Sequence, residues 1–276
     1  MKKLLNTLYV MTQGAYLRKE GETIVVEKDR EVKLRLPIHT ISGIVTFGNV
    51  MTSPYLLQLC AERCVSVSFL SETGSFLARV EGPTSGNVML RLSQIRHYED
   101  KVKKAEIARS FLIGKLVNAR NVLRRCLRDH GENELLTQAA ETIADVVRRV
   151  RDAEPDTSRL RGLEGEAAAT YFGVFNELIV SNKETFEMHS RSRRPPMDPM
   201  NALLSYLYTL LAHDCRAALE SVGLDSQVGF LHDLRPGRAS LALDLMEEFR
   251  APLADRVALS LVNLRQLQGK DFKRTE

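Results

Sequence analysis

A histidine and three carboxylates lie close together between residues 229 and 250. His232 precedes a Pro-Gly turn, and Asp244, Glu247 and Glu248 follow it on a segment of good helix formers. At about 100° per residue the three carboxylates fall in one sector of this helix, within reach of a histidine on the turn. Histidine and clustered carboxylates can hold a divalent metal ion. The alternative is a solvated acidic helix face beside a structural or exposed histidine.

The helix stripe that should face the core runs beside these carboxylates. Ala242, Leu245, Met246 and Phe249 follow the spacing i, i+3, i+4, i+7, which predicts burial of all four side chains.

A further acidic residue, Glu164, is predicted to lie on a partly apolar helix face. Helical spacing places it beside Ala168, Tyr171 and Phe175. An unpaired carboxylate is costly to bury there. Either a metal ion or a salt bridge, for example to Arg161, would explain it.

The helix that carries Glu164 is predicted to be capped near Thr157 or Ser158. It contains three glycines, each of which costs about 1 kcal/mol relative to alanine inside a helix. Close helix packing or close backbone approach to a ligand would offset this cost. The three are Gly162, Gly165 and Gly173.

Two stretches are rich in lysine and arginine. Basic residues far outnumber acidic ones between residues 91 and 128, which indicates either a solvated helix face or a phosphate-binding surface. Residues 190–199 form an arginine-rich loop. This loop precedes a helix with Asp198 as its cap and Pro199 in its first turn, an arrangement that suits phosphate.

Length and composition predict two domains in an α+β protein. The chain has 276 residues, of which 44% are hydrophobic and 27% charged, with a net charge of +4 that is compatible with a polyanionic partner. Short alternating strands dominate residues 6–80, with one helix that begins at Pro54 and is capped by Ser53. We therefore expect a β-rich domain at 1–81, a linker at 82–87 and an all-helical domain at 88–276.

The cellular location of the protein is predicted from three features that its sequence lacks. No apolar run reaches membrane-spanning length, the N-terminus is too polar for a signal peptide, and the four cysteines suggest neither a zinc site nor disulfides. These features favour a cytoplasmic protein without a membrane partner.

Taken together, the sequence resembles the integrase family of CRISPR adaptation, the metal-dependent nuclease subunit that inserts new spacers. The resemblance extends over essentially the whole chain and looks closest to the type I-C branch. The matching segments are RGLEGEAAATYF at 161–172, RSRRPPMDPMNALLSYLYTLL at 191–211, GFLHDLRPGRASLALDLMEEFR at 229–250 and, more weakly, GKLVNARNVLRR at 114–125.

The resemblance implies a sandwich-like N-terminal domain that mediates homodimer formation and a helical domain that holds the active site. It assigns the metal ligands to Glu164, His232 and Glu247, with Asp244 as an auxiliary acid and Glu248 as a rival to Glu247. The family often has aspartate in place of Glu247 and glutamine in place of Ala119. Members of this branch also continue for further helices beyond residue 276.

The implied reaction is the attack of a DNA 3′-hydroxyl, or of water, on a phosphodiester, with Mg²⁺ or Mn²⁺ as cofactor. The substrates would be double-stranded DNA, both the spacer precursor and the repeat array, and the protein partner would be the small ferredoxin-like adaptation subunit. Backbone phosphates would be bound by basic side chains. The candidates are Lys115, Arg120, Arg124, Arg191, Arg193 and Arg194.

Two other functions remain open. A non-catalytic dimeric DNA-binding scaffold protein would bind DNA without dependence on metal. A metal-dependent hydrolase of small phosphate compounds would need a closed pocket, and the open basic loop at 190–199 argues against it.

Overall fold

A computed structural model describes residues 7–80, 87–192 and 195–273. The chain divides into two compact units, one ending at Asn87 and the other starting at Val88. Strands dominate the first unit and the second is helical, which confirms the predicted α+β class. The predicted linker at 82–87 lies, apart from Asn87, outside the described residues. No helix among the described residues is long and apolar enough to cross a membrane.

The described residues of the N-terminal unit form two four-stranded sheets, one α-helix and a short 3-10 helix at Ile38–Thr40. The strands and the α-helix of this unit are β1 (Thr7–Val10), β2 (Tyr16–Glu20), β3 (Thr23–Lys28), β4 (Glu31–Pro37), β5 (Gly43–Phe47), β6 (Met51–Thr52), α1 (Pro54–Glu62), β7 (Ser66–Leu70) and β8 (Phe76–Val80). The first sheet has the order β1-β5-β7-β8, with β5 parallel to both of its neighbours, and the second has the order β4-β3-β2-β6.

Both sheets contribute to one hydrophobic core. Leu17 and Ile24 from the second sheet are buried together with Ile44 and Val67 from the first, and Leu56 of α1 completes the cluster. The arrangement agrees with the expected sandwich-like unit. Strand β2 carries little hydrophobic signal, because Leu17 is its one buried side chain and is followed by the charged residues Arg18, Lys19 and Glu20.

The first turn of α1 forms as predicted. Ser53 Oγ accepts a hydrogen bond from the backbone N–H of Leu56 at 3.2 Å, and Pro54 occupies the first helical position.

The C-terminal unit is built around one long helix. Its helices are α2 (Val88–Glu99), α3 (Lys101–His130), α4 (Glu134–Asp152), α5 (Thr157–Gly173), α6 (Lys183–Phe186), α7 (Pro199–Ser221), α8 (Ser240–Phe249) and α9 (Arg256–Asn263). Helix α3 packs against α4, α5 and α8. Because α3 is long, it contacts both α5 and α8, the two helices that carry candidate ligands.

Side-chain caps set the starts of these helices. Asp198 accepts from the backbone N–H of Asn201 and Pro199 follows it, as predicted. The predicted cap of α5 was wrong by one or two residues, because Asp156 accepts from the backbone of Ser158 and Arg159 and so supplies the cap.

The predicted apolar stripe of α8 is only partly buried. Ala242 and Met246 are buried, and Leu245 is half-buried. Phe249 is 37% exposed, so the prediction for this residue was wrong. It is the last residue of α8, where the helix changes its geometry and the stripe ends.

Two adjacent leucines of α4 test which face of this helix packs against the helical core. Leu136 is 1% exposed in the helical core, whereas Leu135 is 54% exposed. We expect Leu136→Ala to lower the free energy of unfolding by about 2–5 kcal/mol, because it leaves a cavity. Leu135→Ala should change it by no more than about 0.5 kcal/mol. Urea denaturation of both variants measures the difference, and equal losses would contradict the assigned face of α4.

Candidate metal centre

The buried carboxylate of Asp244 shapes the segment that carries His232. Asp244 is 0% exposed. Its Oδ2 accepts from the backbone N–H groups of Phe230 and Leu231 at 2.5 and 2.9 Å. Its Oδ1 accepts from the backbone N–H of His232 at 2.9 Å and lies 2.6 Å from the Nδ1 atom of the same residue. Four contacts from one loop satisfy a carboxylate that would otherwise be costly to bury.

The contact between Asp244 Oδ1 and His232 Nδ1 decides which nitrogen of His232 is available to a metal ion. An imidazole whose Nδ1–H donates to a carboxylate has Nε2 as its remaining acceptor or metal ligand. Nε2 lies 3.9 Å from Glu247 Oε1. Asp244 therefore positions His232 and does not itself point at the other candidate ligands.

Glu164 and Glu247 meet at the ammonium group of Lys115. Lys115 Nζ forms a short ion pair with Glu164 Oε1 and lies 2.8 Å from Glu247 Oε2. The side chains of Lys115 and Glu247 are only 14% and 4% exposed. The fold thus links Glu164 from α5 to Glu247 from α8 through a lysine from α3, and it places His232 from the loop beside Glu247.

Burial and positive charge act in opposite directions on Glu247. Burial raises the pKa of its carboxyl group, but Lys115 and Arg250 outweigh this effect and the pKa lies below its usual value. Arg250 Nη1 is 2.8 Å from Glu247 Oε1. Glu247 is therefore held as a carboxylate, the form that a metal ion requires.

The donor set suits a divalent cation. Glu247 Oε2 is buried and makes no hydrogen bond, so its contact with Lys115 is an ion pair without hydrogen-bond geometry. Two carboxylates and one imidazole nitrogen are ligands that Mn²⁺ and, with more water, Mg²⁺ accept. In the described parts of the chain, no three His, Cys, Asp or Glu side chains are arranged to hold a metal ion as they stand.

Glu248 points elsewhere. Its side chain packs over α3 at Gly114, where an added Cβ would lie 3.0 Å from the carboxyl carbon of Glu248. Asn118 of the same helix donates to the backbone carbonyl of Glu248 at 2.9 Å. Of the two adjacent glutamates, Glu247 is the one that faces His232 and Lys115.

The salt bridge considered for Glu164 exists, but with a different partner. Lys115 takes the place that we suggested for Arg161, whereas Arg161 pairs with Asp233. Nothing in the primary structure indicates this pairing, since residues 115 and 164 lie on different helices.

A buried carboxylate with two tyrosines lies behind the site. Asp255 accepts from Tyr208 Oη at 2.6 Å and from Tyr171 Oη at 3.0 Å. Arg250 stacks on the Tyr208 ring, 4.9 Å from its centroid, and so links this group to Glu247. Residues 250–255 form a π-helical stretch in which Pro252 has no N–H to donate. We had not predicted Arg250 or Asp255; the spacing of Arg250 three residues after Glu247 is the only signal that could have indicated it.

The predicted phosphate-binding residues fall into different environments. Lys115 is inside the site. Arg191 donates to Asn201 Oδ1 at 2.6 Å and stacks on Tyr208, so its guanidinium group serves the fold. Arg120 is half-buried and Arg124 is exposed. Arg193 and Arg194 lie outside the described residues.

The glycines of α5 do not serve close helix packing. A Cβ added at Gly162, Gly165 or Gly173 would meet nothing within 4 Å. Of the two explanations that we considered, close helix packing is therefore wrong within this chain, and approach to a ligand remains a prediction.

Gly229 tests the role of the Asp244 loop. An added Cβ at Gly229 would lie 2.6 Å from the backbone carbon of Ser240 and 2.9 Å from Asp244 Oδ2. We expect Gly229→Ala to lower the free energy of unfolding by about 1–3 kcal/mol, because the loop must shift away from α8. Gly173→Ala is the control and should leave it unchanged or raise it by up to about 1 kcal/mol, because alanine is the better helix former. Denaturant titration compares the two, and a neutral Gly229→Ala would show that the loop tolerates the shift.

The raised pKa of Asp255 predicts that the stability of the protein depends on pH. Burial raises its pKa to about 6, although Tyr208 and Tyr171 donate to it. Because the folded protein holds this proton more tightly than the unfolded chain, stability falls as pH rises from about 4 through about 6. Asp255→Asn should remove this loss. The melting temperature of the variant relative to the wild type should therefore increase across that range, and parallel profiles would contradict the assignment.

Comparison with known proteins places the chain in a family. The family model described as "CRISPR associated protein Cas1" matches residues 8–276. The chain is 51% identical to a CRISPR-associated endonuclease Cas1 of Chlorobaculum tepidum and 52% identical to one of Rhodospirillum rubrum. Both alignments cover 100% of this chain and 81% of the relative.

Solved structures agree. A Cas1 protein from Thermotoga maritima superposes with a TM-score of 0.82 at 25% identity, covering 98% of this chain and 82% of that chain. A casposase bound to its integration product superposes with a TM-score of 0.81 at 28% identity. The alignment covers 99% of this chain and 77% of the casposase chain. A chain of the Cas6-RT-Cas1–Cas2 complex superposes with a TM-score of 0.78 at 26% identity. The alignment covers 98% of this chain and 29% of that chain. The chain therefore belongs to the Cas1 family of CRISPR-associated endonucleases.

Proposed function

We propose that this Cas1 protein inserts spacer DNA through one divalent cation held by Glu164, His232 and Glu247. The proposal is supported by a connected set of contacts: Lys115 bridges Glu164 and Glu247, and His232 Nε2 lies 3.9 Å from the other oxygen of Glu247. The reaction is the attack of a 3′-hydroxyl of the incoming DNA on a phosphodiester of the repeat array. Water would take the same place in a nuclease reaction.

The protein groups have separable tasks. A divalent cation, when bound, would polarise a non-bridging phosphate oxygen and stabilise the charge of an in-line displacement. Asp244 fixes the His232 ring so that Nε2 faces Glu247. Arg250 keeps Glu247 ionised and oriented through Oε1. No serine, cysteine or tyrosine nucleophile is required.

The choice of metal follows from the donors. Mg²⁺ favours shells made of oxygen alone, whereas an imidazole nitrogen suits Mn²⁺ better. We therefore propose Mn²⁺ as the tighter-binding ion and Mg²⁺ as an alternative that supports the same reaction.

Arg124 is proposed to bind DNA phosphates, because it is exposed on α3, the helix that carries Lys115. Arg193 and Arg194 are proposed for the same task from their position ahead of α7. Gly162 and Gly165 are exposed on α5, the helix of Glu164, and would let a DNA backbone approach closely. The casposase that this chain resembles was solved bound to an integration product, which supports DNA as the substrate; we propose that this DNA is double-stranded.

The proposed assembly is a homodimer joined to a small ferredoxin-like subunit. The similar structure of a Cas6-RT-Cas1–Cas2 complex supports a second Cas protein as partner. The N-terminal unit is proposed as the dimerisation domain.

Two glutamates of α5 provide a variant of the proposed metal site and a matched control outside it. Glu164→Gln should reduce metal-dependent strand transfer by at least about 100-fold, more than the loss typical of a group outside the metal's ligands. Glu166→Gln should leave the rate unchanged, since Glu166 forms an exposed pair with Arg149. His232→Ala should reproduce the loss caused by Glu164→Gln. Strand transfer of a labelled DNA end into a repeat-containing plasmid measures the rate.

DNA affinity, measured in parallel, distinguishes this proposal from its rival. Glu164→Gln should still bind DNA about as well as the wild type. Full strand transfer by this variant would exclude the proposed site. DNA binding by the wild type without any metal-dependent strand transfer would instead favour the non-catalytic scaffold.

A further inference from the structure

Lys115 is the basic side chain closest to both candidate carboxylates. It projects from α3, and its ammonium group contacts Glu164 Oε1 and Glu247 Oε2 from a position that is 14% exposed. Leaving an ammonium group in so little water is favourable only because two negative charges face it. In turn, the ammonium offsets the mutual repulsion of the two carboxylates.

A cation bound by the same two oxygens would need the space that Lys115 Nζ occupies. An ammonium ion and a divalent ion only a few ångströms apart repel each other strongly in a partly buried site. The two therefore compete for one place between Glu164 and Glu247.

Arg250 is not part of this competition. It contacts the other oxygen of Glu247, Oε1, and is held by stacking on Tyr208. It can keep its position while Oε2 changes its partner. Lys115 is a flexible chain with a point charge, which makes it the exchangeable partner.

We propose that Lys115 is a positioning residue that holds Glu164 and Glu247 together and yields its place to the divalent cation. The inference rests on the proposed metal site. A pocket of about 40 Å³, lined by Lys115, Glu164, Tyr208, Glu247 and Arg250, adjoins the carboxylates and has room for the displaced ammonium group.

The exchange has a thermodynamic consequence. Each metal-binding event must break the two Lys115 contacts, so the measured metal affinity is lower than the carboxylates and imidazole alone would provide. Removing the charge of Lys115 should therefore strengthen metal binding while it weakens the protein without metal.

Lys115→Met tests the exchange, because methionine keeps an unbranched chain without the charge. Its dissociation constant for Mn²⁺, measured from the spectrum of free Mn²⁺ by electron paramagnetic resonance, should be about ten-fold lower than that of the wild type, the scale on which groups around metal ligands act. Its melting temperature without metal should fall. Lys103→Met on the same helix is the control, since Lys103 forms only an exposed pair with Asp100 among the described contacts, and it should change neither quantity.

The outcomes separate the two proposals. Equal or weaker Mn²⁺ binding by Lys115→Met, with binding by the wild type intact, would overturn the role of Lys115 and leave the metal site standing. Wild-type binding no stronger than that of Glu164→Gln would overturn the metal site and the exchange with it.

A second measurement uses the wild type alone and holds even where Lys115→Met does not fold. Acylation of Lys115 by an amine-reactive reagent, followed by peptide mass spectrometry, should become several-fold faster with saturating Mn²⁺, because the displaced amine moves towards solvent. Lys103 should react at one rate in both conditions. An unchanged or slower reaction of Lys115 would overturn the proposal.

Discussion

The carboxylate of Asp244 is the group on which the geometry of the site depends. Because it is fully buried, it needs several donors, and the described ones come from the three consecutive residues Phe230, Leu231 and His232. Its desolvation is therefore offset only when the loop adopts one conformation. That conformation also fixes the His232 ring, so the stability of a buried charge and the orientation of a candidate metal ligand are the same interaction.

The remaining charges of the site form a balanced cluster. Glu247 meets Lys115 through one oxygen and Arg250 through the other, and Glu164 shares the lysine. Arg250 also stacks on Tyr208, whose hydroxyl group donates to Asp255. Glu164 and Glu247 thus share Lys115, and Glu247 is linked to Asp255 through Arg250 and Tyr208. Such networks are costly to disturb in part, because removal of one member leaves another buried and unpaired.

The basic side chains serve two different purposes. Lys115 and Arg191 were both candidates for DNA phosphates, yet their cationic groups bind carboxylate, amide and aromatic partners within the helical unit. Arg124 remains exposed on α3 and available for a polyanion. A count of lysine and arginine in a segment therefore overstates its phosphate-binding capacity, since part of the positive charge balances acids inside the protein.

The amino-acid sequence alone was sufficient for the α+β class and for the Ser53 and Asp198 caps, because caps and periodicity are local properties. The set Glu164, His232 and Glu247 was proposed from the resemblance of the sequence to a known family. The sequence was not sufficient for the choice between Glu247 and Glu248, for the partner of Glu164 or for the Asp255 cluster. Each of these depends on which side of α3 faces α5 and α8. That choice is made by the packing of residues far apart in the chain, and only the tertiary structure contains it.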